Sequence, residues 1–303
     1  MSSTSPLSPA EYFGFDGAFL RKLERLSLMV RRPMPGPAAG PRRSPRHGPS
    51  VEFADFRDYS PGDDFRRIDW NALARLDRLF LRLYSAEEMT TVTLCLDHSP
   101  SMGFGDPAKS LTAARLAAVM AYIALQGDDR VTVAGWGEKV DRYVPPQGGR
   151  PAIPRVWKSI QDVMEASTTA TDFAALRAMG AFRRGAGLSI VFSDFLTDTD
   201  WRSGLRSLRG TGQEVSVLQI LAPEELNPTL RGDWRLRDVE SDGDVEVTIS
   251  PRLLRRYEEE LEAHTAAIKE FCRRQGMAFV RIPSSISIED LALSSLRAAG
   301  VIG

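Results

Sequence analysis

The feature that most constrains this chain is the run Thr90–Leu96 (TTVTLCL), apolar and β-branched without a charge, followed at once by Asp97. A half-exposed strand alternates apolar with polar, so an uninterrupted run of this kind predicts a strand covered on both faces. The residues beyond it repeat the pattern at intervals. A helix is predicted from Pro107, a residue suited to a first helical turn, to about Gln126. Arg130–Trp136 (RVTVAGW) reads as the next strand, with Lys139–Val144 returning antiparallel to it. Helical spacing recurs over Arg155–Met164 and Phe173–Phe182, then a strand over Leu188–Ser193, a helix over Trp201–Leu208 and a strand over Glu214–Ile220. A hairpin, Trp234–Val239 with Val245–Ile249, flanks Asp242-Gly243. A long helix over Arg252–Arg274 leads into Met277–Ile282 and a final helix ending near Gly300. Strands alternating with helices predict an α/β fold with a doubly wound, mostly parallel sheet and helices on both faces.

The residues before Thr90 follow other rules. The first ten are rich in Ser and Pro and are expected to be disordered. Phe19, Leu23, Leu26 and Val30 then recur at helical spacing. The prolines and glycines of RRPMPGPAAGPRRSPRHGPS stop that helix. Short runs around the Pro61-Gly62 turn (VEFADFRDY, SPGDDFRRIDW, LFLRLYSAE) read as a small β-containing subdomain. The expected organisation is therefore residues 1–50 as helix and disordered basic linker, 51–88 as β-subdomain, and 89–303 as the main domain. No internal repeat is visible.

Charge narrows the function classes. Lys and Arg number 39 against 40 Asp and Glu, whereas a chain built to neutralise phosphates carries a clear basic excess. The linker arginines Arg31, Arg32, Arg42, Arg43 and Arg46 have no interleaved aromatics for base stacking, which favours a solvated tether over a nucleic-acid contact. The two cysteines, Cys95 and Cys272, lie in apolar segments, as buried reduced thiols do; one disulfide is the alternative. The start MSSTSPLSPAEYFGFDG lacks the basic and apolar regions of a secretory signal. The apolar stretch Leu111–Leu125 contains Arg115 and is too short to span a bilayer. A soluble, cytoplasmic protein is expected.

In open α/β sheets, ligands bind beyond the carboxyl ends of the strands. The first strand is followed by Asp97, Ser99 and Ser101, a D-x-S-x-S pattern with oxygens on alternate residues. Thr171 stands in the loop TTATDFAAL before a helix, chosen over Thr168 and Thr169 because it directly precedes the Asp-Phe-x-x-Leu helix start. Asp194 directly follows the strand LSIVFS. A carboxylate and hydroxyl set of this kind suits a hard cation, Mg2+ or Mn2+. Each residue also has an ordinary structural role open to it, as a turn or helix cap.

These residues resemble the metal-ion-dependent adhesion site of von Willebrand factor A domains, which have a Rossmann-like sheet. The stretches FRDYSPGDDFRRIDW, LDHSPSM, TDFAAL and SDF are more closely similar to a bacterial family, domain-of-unknown-function family fifty-eight. Its members accompany MoxR-type AAA+ ATPases. The resemblance runs from about Phe53 to the C-terminus. It implies a non-enzymatic adaptor that docks through its metal onto a protein carboxylate, of such an ATPase or of a client being remodelled. It further implies Ser99, Ser101 and Thr171 as direct ligands, with Asp97 and Asp194 acting mostly through water. Some relatives carry membrane spans that this sequence lacks.

Other chemistries fit less well. Gly103, Gly105, Lys109 and Ser110 fail the P-loop pattern, because Ala108 stands where glycine is required and the spacing differs. Asp97, His98 and Ser99 are adjacent and cannot converge as a triad, and no G-x-S-x-G elbow exists. His98 is expected at the surface or behind the ligands. A metal-dependent phosphoester hydrolase is the alternative function. Asp172 and Asp198 are its candidate second carboxylates, but no His or Lys is expected beside a strand end as base. Arg57, Arg66, Arg67, Asp63, Asp64 and Asp69 form either a docking surface or a buried ion-pair network, the latter favoured.

Overall fold

The computed structural model describes residues 9–26, 28, 51–60, 65, 68–76, 78–86, 89–166, 170–182, 186–237, 244–292, 296–298 and 301–302. Two short helices come first, α1 (Pro9–Phe13) and α2 (Gly17–Leu23). After them stand β1 (Val51–Asp58), α3 (Trp70–Leu76) and β2 (Phe80–Ala86). The alternating series is β3 (Thr91–Asp97), α4 (Lys109–Gln126), β4 (Arg130–Trp136), β5 (Val140–Gly148) and α5 (Ile153–Glu165). It continues with α6 (Ala175–Phe182), β6 (Gly187–Ser193), α7 (Trp201–Gly210), β7 (Gln213–Leu221) and α8 (Pro223–Leu226). The hairpin β8 (Gly232–Arg237) and β9 (Asp244–Ile249), helix α9 (Pro251–Gln275), strand β10 (Ala278–Pro283) and the short helices α10 (Ile288–Asp290) and α11 (Leu296–Ala298) complete the order.

The described residues fall into two compact units, one of Met1–Arg31 and Thr90–Gly303, the other of Arg32–Met89. In the smaller unit β1 and β2 pair antiparallel from Val51↔Ala86 to Asp58↔Phe80, with a register shift between Phe53 and Asp55. Asp69 is buried and its carboxylate accepts from Ala72 N at 3.1 Å, so it caps α3. Asp63, Asp64, Arg66, Arg67 and all the linker arginines, from Arg31 onward, lie outside the described residues.

The larger unit holds a six-stranded sheet in the order β10-β7-β6-β3-β4-β5. All neighbours run parallel except β5, which returns antiparallel to β4. Strand alternation divides the core in two. Val92, Leu94 and Leu96 of β3 join the cluster beneath α4 and α5, while Cys95 joins the opposite cluster with Phe173, Leu176, Leu205, Ile268 and Cys272. Both faces of β3 are thus covered, which accounts for its lack of polar alternation. The mixed α/β class and the mostly parallel sheet agree with the pattern of the sequence.

One difference from expectation has its cause in α4. Helix α4 is buried around nearly its whole circumference, so the sheet alone cannot cover it. The helix α1, which begins at Pro9 and Ala10 within the first ten residues expected to be disordered, packs with α2 against α4 and α5 and supplies that cover. Phe13 is buried there, edge-on to Trp157 at 5.9 Å between ring centroids. Of the apolar spacing expected to make one N-terminal helix, Phe19 and Leu23 lie in α2 and Leu26 lies beyond its end, Leu28 bridges to Ile302, and Val30 lies outside the described residues. Of the expected final helix, α10 and α11 are described, and residues 293–295 between them lie outside the described residues.

Helix α7 lies close to the loop that starts α6. A Cβ on Gly204 would stand 2.5 Å from the Phe173 carbonyl oxygen and 3.1 Å from the Phe173 Cβ. Backbone there cannot give way cheaply, so Gly204→Ala is expected to lower the urea unfolding free energy by about 1–3 kcal/mol. An unchanged urea midpoint would show that the two elements separate freely.

Candidate metal centre

The sheet order determines where side chains converge. From β3 the chain builds β4 and β5 on one side, then crosses back to lay β6, β7 and β10 on the other. The reversal falls between β3 and β6, which pair parallel up to Leu96↔Phe192. Both carboxyl ends open into the same crevice, where α/β sheets place their ligands. Asp97 ends β3, and Ser193-Asp194 ends β6 and begins the loop beyond it.

Asp97 is buried and joins three segments. Its Oδ1 accepts from Ser99 N at 3.0 Å and from Thr171 Oγ1 at 3.2 Å, and its Oδ2 accepts from Ser193 Oγ at 2.6 Å. Pro100 opens a short 3-10 turn, Pro100–Gly103, immediately after Ser99. That turn brings Ser101 Oγ to 3.1 Å from Ser99 Oγ. Adjacent ligands of an octahedral ion with metal–oxygen bonds of about 2.1 Å lie about 3.0 Å apart, so this spacing fits Mg2+ or Mn2+. Among the described residues there is no group of three or more His, Cys, Asp or Glu side chains able to hold a metal. The hydroxyls of Thr171 and Ser193 meet Asp97 directly, and those of Ser99 and Ser101 meet each other. Burial first, and the charge of Asp194 second, push the Asp97 carboxyl up to about 6, against the pull of the Ser193 and Ser99 hydrogen bonds. A buried carboxylate whose charge is opposed by burial and by a second carboxylate is a place where a cation gains.

Asp194 differs from the sequence-based picture. Its Oδ1 accepts from Leu196 N at 3.0 Å, and its Oδ2 accepts from Lys109 Nζ at 2.7 Å. Lys109 is fully buried and also donates to Glu225 Oε1 at 2.5 Å. Burial opposes its charge, but the two carboxylates overcome that and hold its pKa above the ordinary lysine value. The expectation that no lysine stands beside a strand end is thus corrected: Lys109 reaches the end of β6 from the start of α4. As a protonated ammonium held by two carboxylates it is a donor and not a base. Sequence reasoning weighed Lys109 only as part of a failed P-loop, and it missed Ser193 and Glu225. The available signal was a lysine opening an otherwise apolar helix, where it adds charge to the positive end of the helix dipole.

The floor of the crevice is aromatic and rigid. Phe195, directly after Asp194, has φ of +61°, a left-handed conformation costly for a bulky residue. It is held by burial, by Phe173 at 4.9 Å between ring centroids, and by His264 Nε2 at 2.9 Å from its carbonyl oxygen. Gln219 Nε2 donates to Asp194 O at 3.1 Å. These contacts over-determine the loop that carries Asp194.

His98 is buried behind the D-x-S-x-S loop. Its Nε2 lies 2.8 Å from Asp141 Oδ1, and its Nδ1 lies 3.2 Å from Ala166 O, which ties this loop to β5 and to the end of α5. Asp172 accepts from Ala174 N at 2.8 Å at the start of α6, and Asp198 is exposed. Thr168 and Thr169 lie outside the described residues. Cys95 and Cys272 are free and buried, and burial pushes both thiols up to about 12. Among the described residues no helix is long and apolar enough to cross a membrane.

Known proteins offer limited guidance to this geometry. The chain is 29% identical to the uncharacterized protein Rv1480 of Mycobacterium tuberculosis over 258 residues, 84% of this chain and 81% of that protein. The uncharacterized protein Mb1516 of Mycobacterium bovis matches to the same extent, 29% over 258 residues, 84% of this chain and 81% of its own. Among solved structures, the conserved hypothetical protein BatB of Bacteroides thetaiotaomicron superposes with a TM-score of 0.44 at 13% identity, covering 69% of this chain and 98% of its own. An aerotolerance-related membrane protein of Bacteroides fragilis gives a TM-score of 0.42 at 15% identity, covering 70% of this chain and 98% of its own. Residues 55–267 match the family described as protein of unknown function DUF58, and this chain belongs to that family.

Proposed function

We propose that this chain is a metal-dependent docking module of the von Willebrand factor A type. In this reading a Mg2+ or Mn2+ ion is held directly by Ser99, Ser101 and Thr171, with Asp97 and Asp194 acting mostly through water. The ion leaves a coordination position for a carboxylate of a protein partner. The observation that carries the reading is the set of hydroxyls gathered around buried Asp97 at the sheet's switch point. A hydroxyl-rich shell leaves the ion electrophilic and receptive to an incoming carboxylate. The nearest lysine is held protonated between two carboxylates, so it supports docking better than general-base hydrolysis. The partner is proposed to be a MoxR-type AAA+ ATPase or a client it remodels, with this chain as cytoplasmic adaptor and not as enzyme.

The test is affinity capture from native lysate with wild type and Asp97→Ala, each in Mg2+ and in excess chelator. The expected result is an AAA+ ATPase retained only by wild type in Mg2+. Capture of the same proteins in all four samples would remove the metal from the docking role. Turnover of a generic phosphoester by wild type, lost in Asp97→Ala, would establish the hydrolase in its place.

A further inference from the structure

Lys109 is placed against elementary preference. It is the first residue of α4, where the helix dipole already contributes positive charge, and its preceding residue Ala108 provides no side-chain cap. It is also fully buried, where an unpaired ammonium loses its proton or is not tolerated. The fold retains the charge by surrounding it. Asp194 Oδ2 lies 2.7 Å away and Glu225 Oε1 2.5 Å away, while Glu225 Oε2 is fixed by Ala222 N at 2.8 Å. The loop before α4 presses on this segment so closely that a Cβ on Gly105 would stand 2.6 Å from the Ala222 Cβ. Phe104 stands on another side, its ring centroid 5.9 Å from Nζ. The ammonium therefore cannot swing away without moving two segments.

This arrangement bears on the proposed metal centre, on which the inference rests. Asp97, Asp194 and Glu225 oppose Lys109, which leaves two net negative charges for one divalent ion to match. The ammonium holds the Asp194 oxygen that an entering ion would attract, and it repels that ion. We infer that Lys109 is an internal counter-cation that competes with the divalent metal for Asp194 and so limits how tightly the metal is held. Its function is that of a positioning residue. It keeps the metal-free carboxylates together and holds one Asp194 oxygen away from the ion.

Titration with Mn2+ alone, read by calorimetry and by the paramagnetic resonance of free Mn2+, tests this on the full chain. Lys109→Met is expected to bind Mn2+ at least about tenfold tighter than wild type, because a neighbouring like charge is removed. Lys109→Met/Glu225→Gln, which leaves no second carboxylate unpaired, is expected to fall between the two and decides the matter if the single variant does not fold. Damage to the fold lowers metal affinity, so a gain separates competition from mere support. Equal or weaker Mn2+ binding by the folded variants, with wild type binding, overturns the inference alone. Absence of binding by wild type and variants together overturns the metal centre itself.

Discussion

Asp97→Asn is expected to lower Mn2+ affinity on the order of 100-fold or more while making the metal-free protein more stable at neutral pH. The two effects share one origin. Asp97 is buried with Asp194 nearby, and its carboxyl is raised from an ordinary value of 3.8 to about 6. Between these values the folded chain holds a proton that the unfolded chain has released, so stability falls as pH rises from about 4 to about 6 and remains low above it. A shift of about two pH units corresponds to on the order of 3 kcal/mol. Urea denaturation of metal-free wild type is therefore expected to show a lower midpoint at pH 7.5 than at pH 5. Asp97→Asn, which never ionises, is expected to lack this fall, and saturating Mn2+ is expected to remove it from wild type. A variant that is weaker than wild type at pH 7.5 without metal, with the same pH dependence, would place the cost elsewhere.

The larger loss of stability is expected at Lys109. Removing one partner from a buried ion pair leaves the other charge uncompensated, typically at about 3–5 kcal/mol. Lys109→Met strands Asp194 and Glu225 together, and equilibrium urea unfolding without metal is expected to show a loss of that size. Lys109→Met/Glu225→Gln is expected to recover much of it. A single variant within about 1 kcal/mol of wild type would mean that the two carboxylates are neutralised by other means, contrary to the geometry.

What the sequence revealed depended on how local the physics was. The run Thr90–Leu96 and the motif after it needed only strand periodicity and the rule that ligands meet strand ends, and they located β3, Asp97, Ser99 and Ser101. Thr171 could be proposed because it precedes a readable helix start, and Asp194 because it follows a readable strand. Lys109 and Glu225 were not legible, because 116 positions separate them and neither forms part of a motif. Ser193 was hidden for another reason: it reads as the last residue of a strand, and only the pairing of β6 with β3 turns its hydroxyl onto Asp97. The start of α1 at Pro9 and Ala10 was missed because the serines and prolines of the first ten residues suggest disorder, whereas the need to cover α4 arises only in three dimensions.

The most direct measurement of the central claim is the anomalous scattering of crystals grown with Mn2+, recorded at the manganese absorption edge. One peak is expected within bonding distance of Ser99 Oγ, Ser101 Oγ and Thr171 Oγ1, on the side of Asp97 where Asp194 stands. Lack of a peak there despite Mn2+ well above the solution Kd, or a peak only at another group of residues, would contradict it.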